Sequence, residues 1–321
     1  MNSNAKDIIN KSNPLSIVIP VFNEEESIKQ LYSEICQVGK ENNIEFEIIY
    51  VDDGSTDGTF RIIEDIYNAD KRVKAIKFRK NKGKAAGLAA GFSVSRGDFI
   101  ITMDGDLQDD PAEIPSLLKK LDQGYDLVSG WKIKRKDPLS KRIPSLIYNK
   151  VTSLLSRIPI HDFNCGLKIY RRDVIEKLRL YGELHRFIPV LAKWEGFSIG
   201  EVKVNHRKRR FGKTKYGFSR FFKGLFDFIT VLFLTKYMKR PLHFFGIIGL
   251  LSSFSGAAII IYLVILKLKK FSYLSNRPLL FIGVMLLIIG VQFISIGLIG
   301  EMITRTHSKE NNFPISKRLG E

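Results

Sequence analysis

Phe99-Ile100-Ile101-Thr102-Met103-Asp104-Gly105-Asp106-Leu107-Gln108-Asp109-Asp110 joins a run of β-branched and apolar residues to a cluster of acids. The first five side chains suit a pleated, buried strand, and the abrupt change after Met103 ends it. Asp104 and Asp106 therefore sit at a strand's carboxyl end. Two carboxylates one residue apart can face one divalent cation there, and hard oxygen ligands suit Mg²⁺ or Mn²⁺ holding a diphosphate. An acid pair alone is also an ordinary solvated turn, so its surroundings decide.

The same pattern recurs upstream. Tyr50-Val51-Asp52-Asp53-Gly54-Ser55-Thr56-Asp57 runs from apolar residues into two acids and a glycine turn, with Ser55 or Thr56 placed to cap a following helix. Pro20-Val21-Phe22-Asn23-Glu24-Glu25 ends a first apolar run, and Asn81-Lys82-Gly83-Lys84 follows a third. Strands are expected at 15–21, 46–51, 73–78, 98–103, 126–130 and 198–204, with helices at 24–39, 56–68, 84–95 and 111–123. Asp110 before Pro111 reads as an N-cap and first turn. Alternating strands and helices over 15–204 indicate an α/β fold with a mainly parallel, Rossmann-like sheet, whose ligands gather at the strands' carboxyl ends.

The chain has 321 residues and a formal charge of +18, which implies anionic partners: nucleotides, lipid headgroups, lipid phosphates or nucleic acid. Cys36 and Cys165 are far apart and form no C-x-x-C pair, so neither a disulfide framework nor a thiolate metal site is indicated. Two stretches, 242–266 and 279–300, carry no charged side chain. Each can cross a hydrocarbon layer of roughly 30 Å at about 1.5 Å per residue. They read as a transmembrane hairpin rather than as core helices, which rarely stay apolar all round for such a length.

Between Lys203 and Arg240, basic residues alternate with Phe218, Phe221, Phe222, Leu225, Phe226 and Phe228. That mixture suits interfacial helices with rings toward lipid and cations toward anionic headgroups, and it favours lipid over nucleic acid as the basic partner. A third span is the rival for this segment, but Lys223 and Asp227 would sit badly in it. The expected organisation is a flexible tail over 1–14, a catalytic domain over 15–210, juxtamembrane helices over 211–240, two spans within 241–303 and a polar tail over 304–321. The first 16 residues lack a secretory apolar stretch, and basic residues flank the spans on the domain's side. The catalytic domain is therefore expected on the cytoplasmic face.

Together the four strand ends resemble the family 2 inverting glycosyltransferases of GT-A fold, over 15 to about 204. More narrowly they are similar to the polyprenyl-phosphate branch, which includes dolichol-phosphate mannosyltransferases and undecaprenyl-phosphate glucosyltransferases. The resemblance implies metal-dependent transfer of a hexose from a UDP- or GDP-sugar to a polyprenyl phosphate. It assigns Pro20, Phe22, Glu24, Asp53, Lys84 and Asp104 to the nucleotide, and Asp104, Asp106 and Gln108 to the metal. Where this chain has Phe22 the family usually carries Tyr.

The block His161-Asp162-Phe163-Asn164-Cys165-Gly166-Leu167-Lys168 resembles the family segment beside the acceptor. Asp162 then joins Asp106 as a catalytic candidate, acting as base or orienting substrate, since a lipid phosphate is already an anion at neutral pH. An Asp in an ordinary Asx turn is the plainer reading, and His161 is expected to be a loop residue. Lys132, Arg142, Ser145, Arg210 and Lys215 match positions that hold acceptor phosphate in relatives, with Lys132 standing where many have Arg. Two-span relatives imply a homotetramer. A processive polysaccharide synthase is disfavoured because neither Trp131 nor Trp194 lies in a Q-x-x-R-W context. A non-catalytic scaffold is disfavoured because all the acidic turns are present.

Overall fold

Alternate residues of the first strand point to opposite faces of a sheet, and both faces are covered. In the computed structural model β1 (Leu15–Val21) sends Ile17, Ile19 and Val21 into one apolar layer and Val18 into the other. The structure describes residues 14–133, 149–208, 241–270 and 278–307, apart from 151, 155, 157, 179, 181 and 183. These residues belong to two compact units, divided after Phe228.

The first unit continues with α1 (Ile28–Asn42), β2 (Phe46–Asp52), α2 (Thr59–Ala69), β3 (Val73–Lys77), α3 (Lys84–Val94) and β4 (Phe99–Thr102). A 3₁₀ turn (Pro111–Glu113) leads into α4 (Ile114–Leu121) and β5 (Leu127–Lys132). Then follow β6 (Lys168–Arg171), α5 (Arg172–Lys177), a 3₁₀ turn (Leu184–Phe187), α6 (Ile188–Trp194) and β7 (Ile199–Val204). Among the described residues the sheet has seven strands in the order β3-β2-β1-β4-β6-β5-β7. Only β6 runs against the others, pairing antiparallel with both β4 and β5.

The apolar spacing of α1, with Ile28, Leu31, Ile35 and Val38 buried, lays it with α2 and α4 on one face. Leu88 and Phe92 of α3, Val174 of α5 and Ile188 and Ala192 of α6 cover the other. Burial on both faces explains why the central strands read as unbroken apolar runs. At the amino edge, away from the strand ends of interest, Ser16 Oγ donates to Glu47 at 2.6 Å, and Lys74 lies 2.6 Å from the same carboxylate.

Several expectations need correction. The first helix begins at Ile28, not at 24, because the amides of Asn23 and Glu24 donate to Ser55 Oγ and Thr59 Oγ1 instead of starting a helical ladder. Neither Ser55 nor Thr56 caps α2; Asp57 Oδ1 accepts the Thr59 N–H at 3.0 Å. The strand expected at 126–130 extends to Lys132, and β6 had no counterpart among the expected strands. Asp110 does accept the Ala112 amide at the start of its turn, as expected of an N-cap.

The second unit is an antiparallel pair, α7 (Pro241–Lys270) and α8 (Pro278–His307), both long and apolar enough to cross a membrane. Glycines let their backbones approach: a Cβ on Gly256 would lie 2.6 Å from Gly283 O, and one on Gly249 2.7 Å from Gly290 O. Ser252 Oγ donates across the pair to Leu286 O at 2.8 Å. Leu250, Leu251, Phe254, Phe281 and Met302 face outward, a belt suited to lipid rather than water. α8 runs past the apolar stretch to His307, since backbone hydrogen bonds carry a helix beyond the hydrocarbon. The proposed interfacial segment 211–240 lies outside the described residues, as does the tail over 1–13.

Candidate active site

Parallel register brings the strand ends level. Val21 pairs with Asp52, Asp52 with Lys77, and the Met103 amide donates to Val18 O at 3.2 Å. The loops that follow are stitched edge to edge. Thr56 N–H donates to Asn23 Oδ1 at 2.8 Å, and Gly58 N–H to Glu25 Oε2 at 2.7 Å. Ser27 Oγ reaches Gly105 O at 2.6 Å, tying the first loop to the acidic one. Pro20 lies under α3, where a Cβ on Gly87 would stand 3.1 Å from its own Cβ. Phe22 and Glu24 are half-buried in the first loop.

Asp53 is buried, and both its oxygens accept backbone amides, from Lys82 at 2.6 Å and Gly83 at 2.9 Å. Its carboxylate holds the third loop in place behind Lys84. Gly54, at φ +76°, allows the close crossing, because a Cβ there would lie 2.8 Å from the Lys80 carbonyl carbon.

Asp104 is ion-paired with Lys84 from the start of α3. Burial opposes its charge, but Lys84, Lys132 and Lys168 outweigh it and hold the carboxyl well below the usual range. For Lys84, burial likewise opposes the charge, and Asp104 and Asp109 prevail, keeping the ammonium above its ordinary value. Lys132 lies 3.0 Å from Asp109 Oδ1, while Asp109 Oδ2 accepts the Asp104 N–H at 3.2 Å. Asp106 Oδ1 accepts the Gln108 N–H at 3.1 Å, and Leu107 takes φ +61° to turn the loop. Gly166 closes the floor: a Cβ there would stand 2.6 Å from Asp104 Cγ.

Asp162 is 1% exposed, and its Oδ1 accepts the Asn164 N–H at 3.1 Å in an Asx turn. His161 is in a loop, as expected, with its ring stacked on Trp131 at a centroid distance of 4.0 Å and its Nδ1 2.8 Å from Glu201. Burial pushes the Cys165 thiol up to about 12, so it stays protonated, and both cysteines are free. Of the expected acceptor-phosphate residues, Lys132 is at the site; Arg142, Ser145, Arg210 and Lys215 lie outside the described residues.

Three residues at the site had no role in the sequence reading. His206 is buried against the acidic loop, its Nε2 3.5 Å from Gln108 Nε2 and its backbone bridged to Asp109. Lys168 is 3% exposed. His185, whose buried Nδ1 lacks a hydrogen-bond partner among the described residues, is kept neutral by burial and by Lys84 and Arg186. A lysine inside an apolar run, or a histidine just past a strand, was the available signal. Arg207 is the converse. It lies in the basic run from Lys203 to Arg240 that suits a lipid surface, yet it ion-pairs with Glu34 and makes a two-pronged contact with Asp110.

Residues 16–179 match the family described as Glycosyl transferase family 2. Dodecaprenyl-phosphate galacturonate synthase of Rhizobium johnstonii is 39% identical over 311 residues, covering 94% of this chain and 90% of the relative. Undecaprenyl-phosphate 4-deoxy-4-formamido-L-arabinose transferase of Proteus mirabilis is 32% identical, covering 93% and 90%. Among solved structures, glucosyl-3-phosphoglycerate synthase from Mycobacterium tuberculosis, in complex with Mn²⁺, UDP and glucosyl-3-phosphoglycerate, shares the fold. Its TM-score is 0.56 at 19% identity, over 72% of this chain and 81% of that one. With a GT-A-like sheet, acids and lysines at its strand ends, and these relatives along nearly its whole length, this chain belongs to glycosyl transferase family 2 and is a glycosyltransferase.

Proposed function

We propose that the enzyme transfers a sugar, a hexose in the first instance, from a nucleoside-diphosphate donor to a polyprenyl phosphate in one inverting displacement. The observation that carries this is likeness to two polyprenyl-phosphate transferases over more than nine-tenths of the chain, apolar helices included. The sugars in their names differ, so the likeness supports the acceptor class more firmly than the sugar.

The residues present suit a divalent cation. Asp104 stays ionised, Asp106 and Gln108 share its loop, and His206 stands against Gln108. Among the described residues no three His, Cys, Asp or Glu side chains cage an ion unaided. Mg²⁺ and Mn²⁺ tolerate this, because one or two carboxylates and substrate phosphates commonly complete their shell. Bound there, such an ion would neutralise charge on the departing diphosphate.

The chain's own groups do the rest. Lys84 and Lys132 supply positive charge where the leaving group and the attacking phosphate approach, and their carboxylate partners keep them protonated. No base is needed, since the acceptor phosphate is already anionic; Asp162 orients its loop and the substrate beside it. Pro20, Phe22, Glu24 and Asp53 bound the nucleotide. Arg142, Ser145, Arg210 and Lys215 complete the phosphate site.

The domain over 15–210 works on the cytoplasmic face, 211–240 lies in the headgroup plane, and the hairpin within 241–303 anchors it. An acceptor whose phosphate stays at the bilayer surface requires a site held there. Mass spectrometry of lipid extracted after mixing the full chain with UDP- and GDP-sugars, undecaprenyl phosphate and Mg²⁺ or Mn²⁺ tests this. A glycosylated lipid phosphate is expected; release of free sugar alone would overturn it.

A further inference from the structure

Lys84 and Lys132 each have a carboxylate partner at the site. Lys168 is 3% exposed, and its ammonium makes one hydrogen bond, to the main-chain carbonyl of Cys165. It has no ion pair among the described residues. An ammonium carries three donors and a full charge, and a single carbonyl leaves most of that unmet. Lys168 opens β6, level with Thr102 near the end of β4 and Ser129 in β5, so it stands at the carboxyl edge where the acidic loop begins. Burial lowers its affinity for a proton, whereas Lys84 and Lys132 are raised by their partners. Asp104 and Lys84 nearby keep 33% and 28% of their side-chain surface, so a charged group has access to this corner.

Resting on the function proposed above, we propose that Lys168 is a substrate-binding cation that meets an anionic phosphate oxygen, of the donor's diphosphate or of the lipid acceptor. The structure holds a buried ammonium with no ion pair among the described residues, and the bound substrate supplies its anionic partner.

The test uses the full chain in detergent as wild type, Lys168→Met and Lys168→Arg. Melting temperature is measured without ligand, and affinity is measured for UDP with Mn²⁺ and, separately, for undecaprenyl phosphate. Lys168→Met should melt at or above the wild-type temperature, because an apolar side chain of similar length removes the unpaired charge. It should bind one probe tenfold or more weakly, and Lys168→Arg should recover part of that loss. Loss toward UDP assigns the donor diphosphate; loss toward undecaprenyl phosphate assigns the acceptor.

Unchanged affinity for both probes overturns the proposal. So does a lower melting temperature in both variants with normal affinity of the folded fraction, or a Lys168→Met chain that does not fold, since either makes the lysine a strut for Cys165. Failure of the broader function reads differently: wild type would bind the probes in a Lys168-dependent way yet make no glycolipid. Glycolipid formed by Lys168→Met at the wild-type rate sinks this inference alone.

Discussion

Lys132 Nζ lies 3.0 Å from Asp109 Oδ1, and the other oxygen of that carboxylate accepts the Asp104 N–H. One buried acid thus positions both a candidate phosphate-binding cation and the backbone of a candidate metal ligand. Replacing it by Asn leaves Lys132, whose side chain is 12% exposed, without its charge partner, a loss of about 3 kcal/mol for largely buried pairs. Denaturation midpoints should show it, and combining Asp109→Asn with Lys132→Met should restore much of the stability. Equal losses in the single and combined variants would show that the pair is not coupled.

Asp106→Ala should cut transfer on the order of 100-fold or more, the scale seen when a group that stabilises developing charge is removed. Its side chain is only half-buried, so the melting temperature should barely change. Chelation should silence the wild type in the same assay, and Mn²⁺ or Mg²⁺ should revive it. Full turnover in chelator would remove the cation from the mechanism.

Gly166→Ala separates packing from chemistry. The added methyl would sit 2.6 Å from Asp104 Cγ and 2.7 Å from Asp109 Oδ2, so the carboxylates must move. Overpacking of this kind costs about 1–3 kcal/mol. Activity at a temperature where the variant is fully folded should nevertheless fall tenfold or more, since Asp104 is proposed to hold the ion and Asp109 positions it. Wild-type activity in the folded variant would refute the placement.

Acid should destabilise the first unit. Burial raises Glu47, but Lys74, the Ser16 hydroxyl and the Arg96 amide together leave its carboxyl below the ordinary range. The Arg72 guanidinium, aided by Tyr32, holds Asp70 lower still. A carboxyl depressed in the folded state contributes stability above its unfolded pKa of about 4, and that contribution disappears as pH falls through the folded value. Melting temperature should decline below about pH 5, less steeply in Glu47→Gln. Identical slopes would show that Glu47 is not part of the effect.

In the hairpin, Gly256→Ile must push the two backbones apart, because Gly283 O stands 2.6 Å from the new Cβ. Thermal stability in detergent should fall while membrane retention persists. Leu250→Ile, on the outward surface, should leave both stability and retention unchanged.

The strand ends were legible because each is a local event: an apolar run, then acids or glycine. The limits of β1 and the burial of both sheet faces follow directly from side-chain pattern, and so do the two long apolar helices. β6 was not legible, since four residues with Lys168 at one end and Arg171 at the other carry too little alternation to register as a strand. The late start of α1 was hidden for another reason: the hydroxyls of Ser55 and Thr59, more than 30 residues away in sequence, take the amides of Asn23 and Glu24.

The amino-acid order by itself determined where six of the seven described strands run, which segments are apolar enough for lipid, and that Asp104 and Asp106 follow a buried strand, because periodicity and composition act over a few residues. Which charge meets which was decided only when the sheet assembled. Lys84 reaches Asp104 across 20 residues and Arg207 reaches Glu34 across 173, while Lys168 is left with a lone carbonyl. Electrostatic partners are set by distance in space, and only the folded backbone supplies that distance.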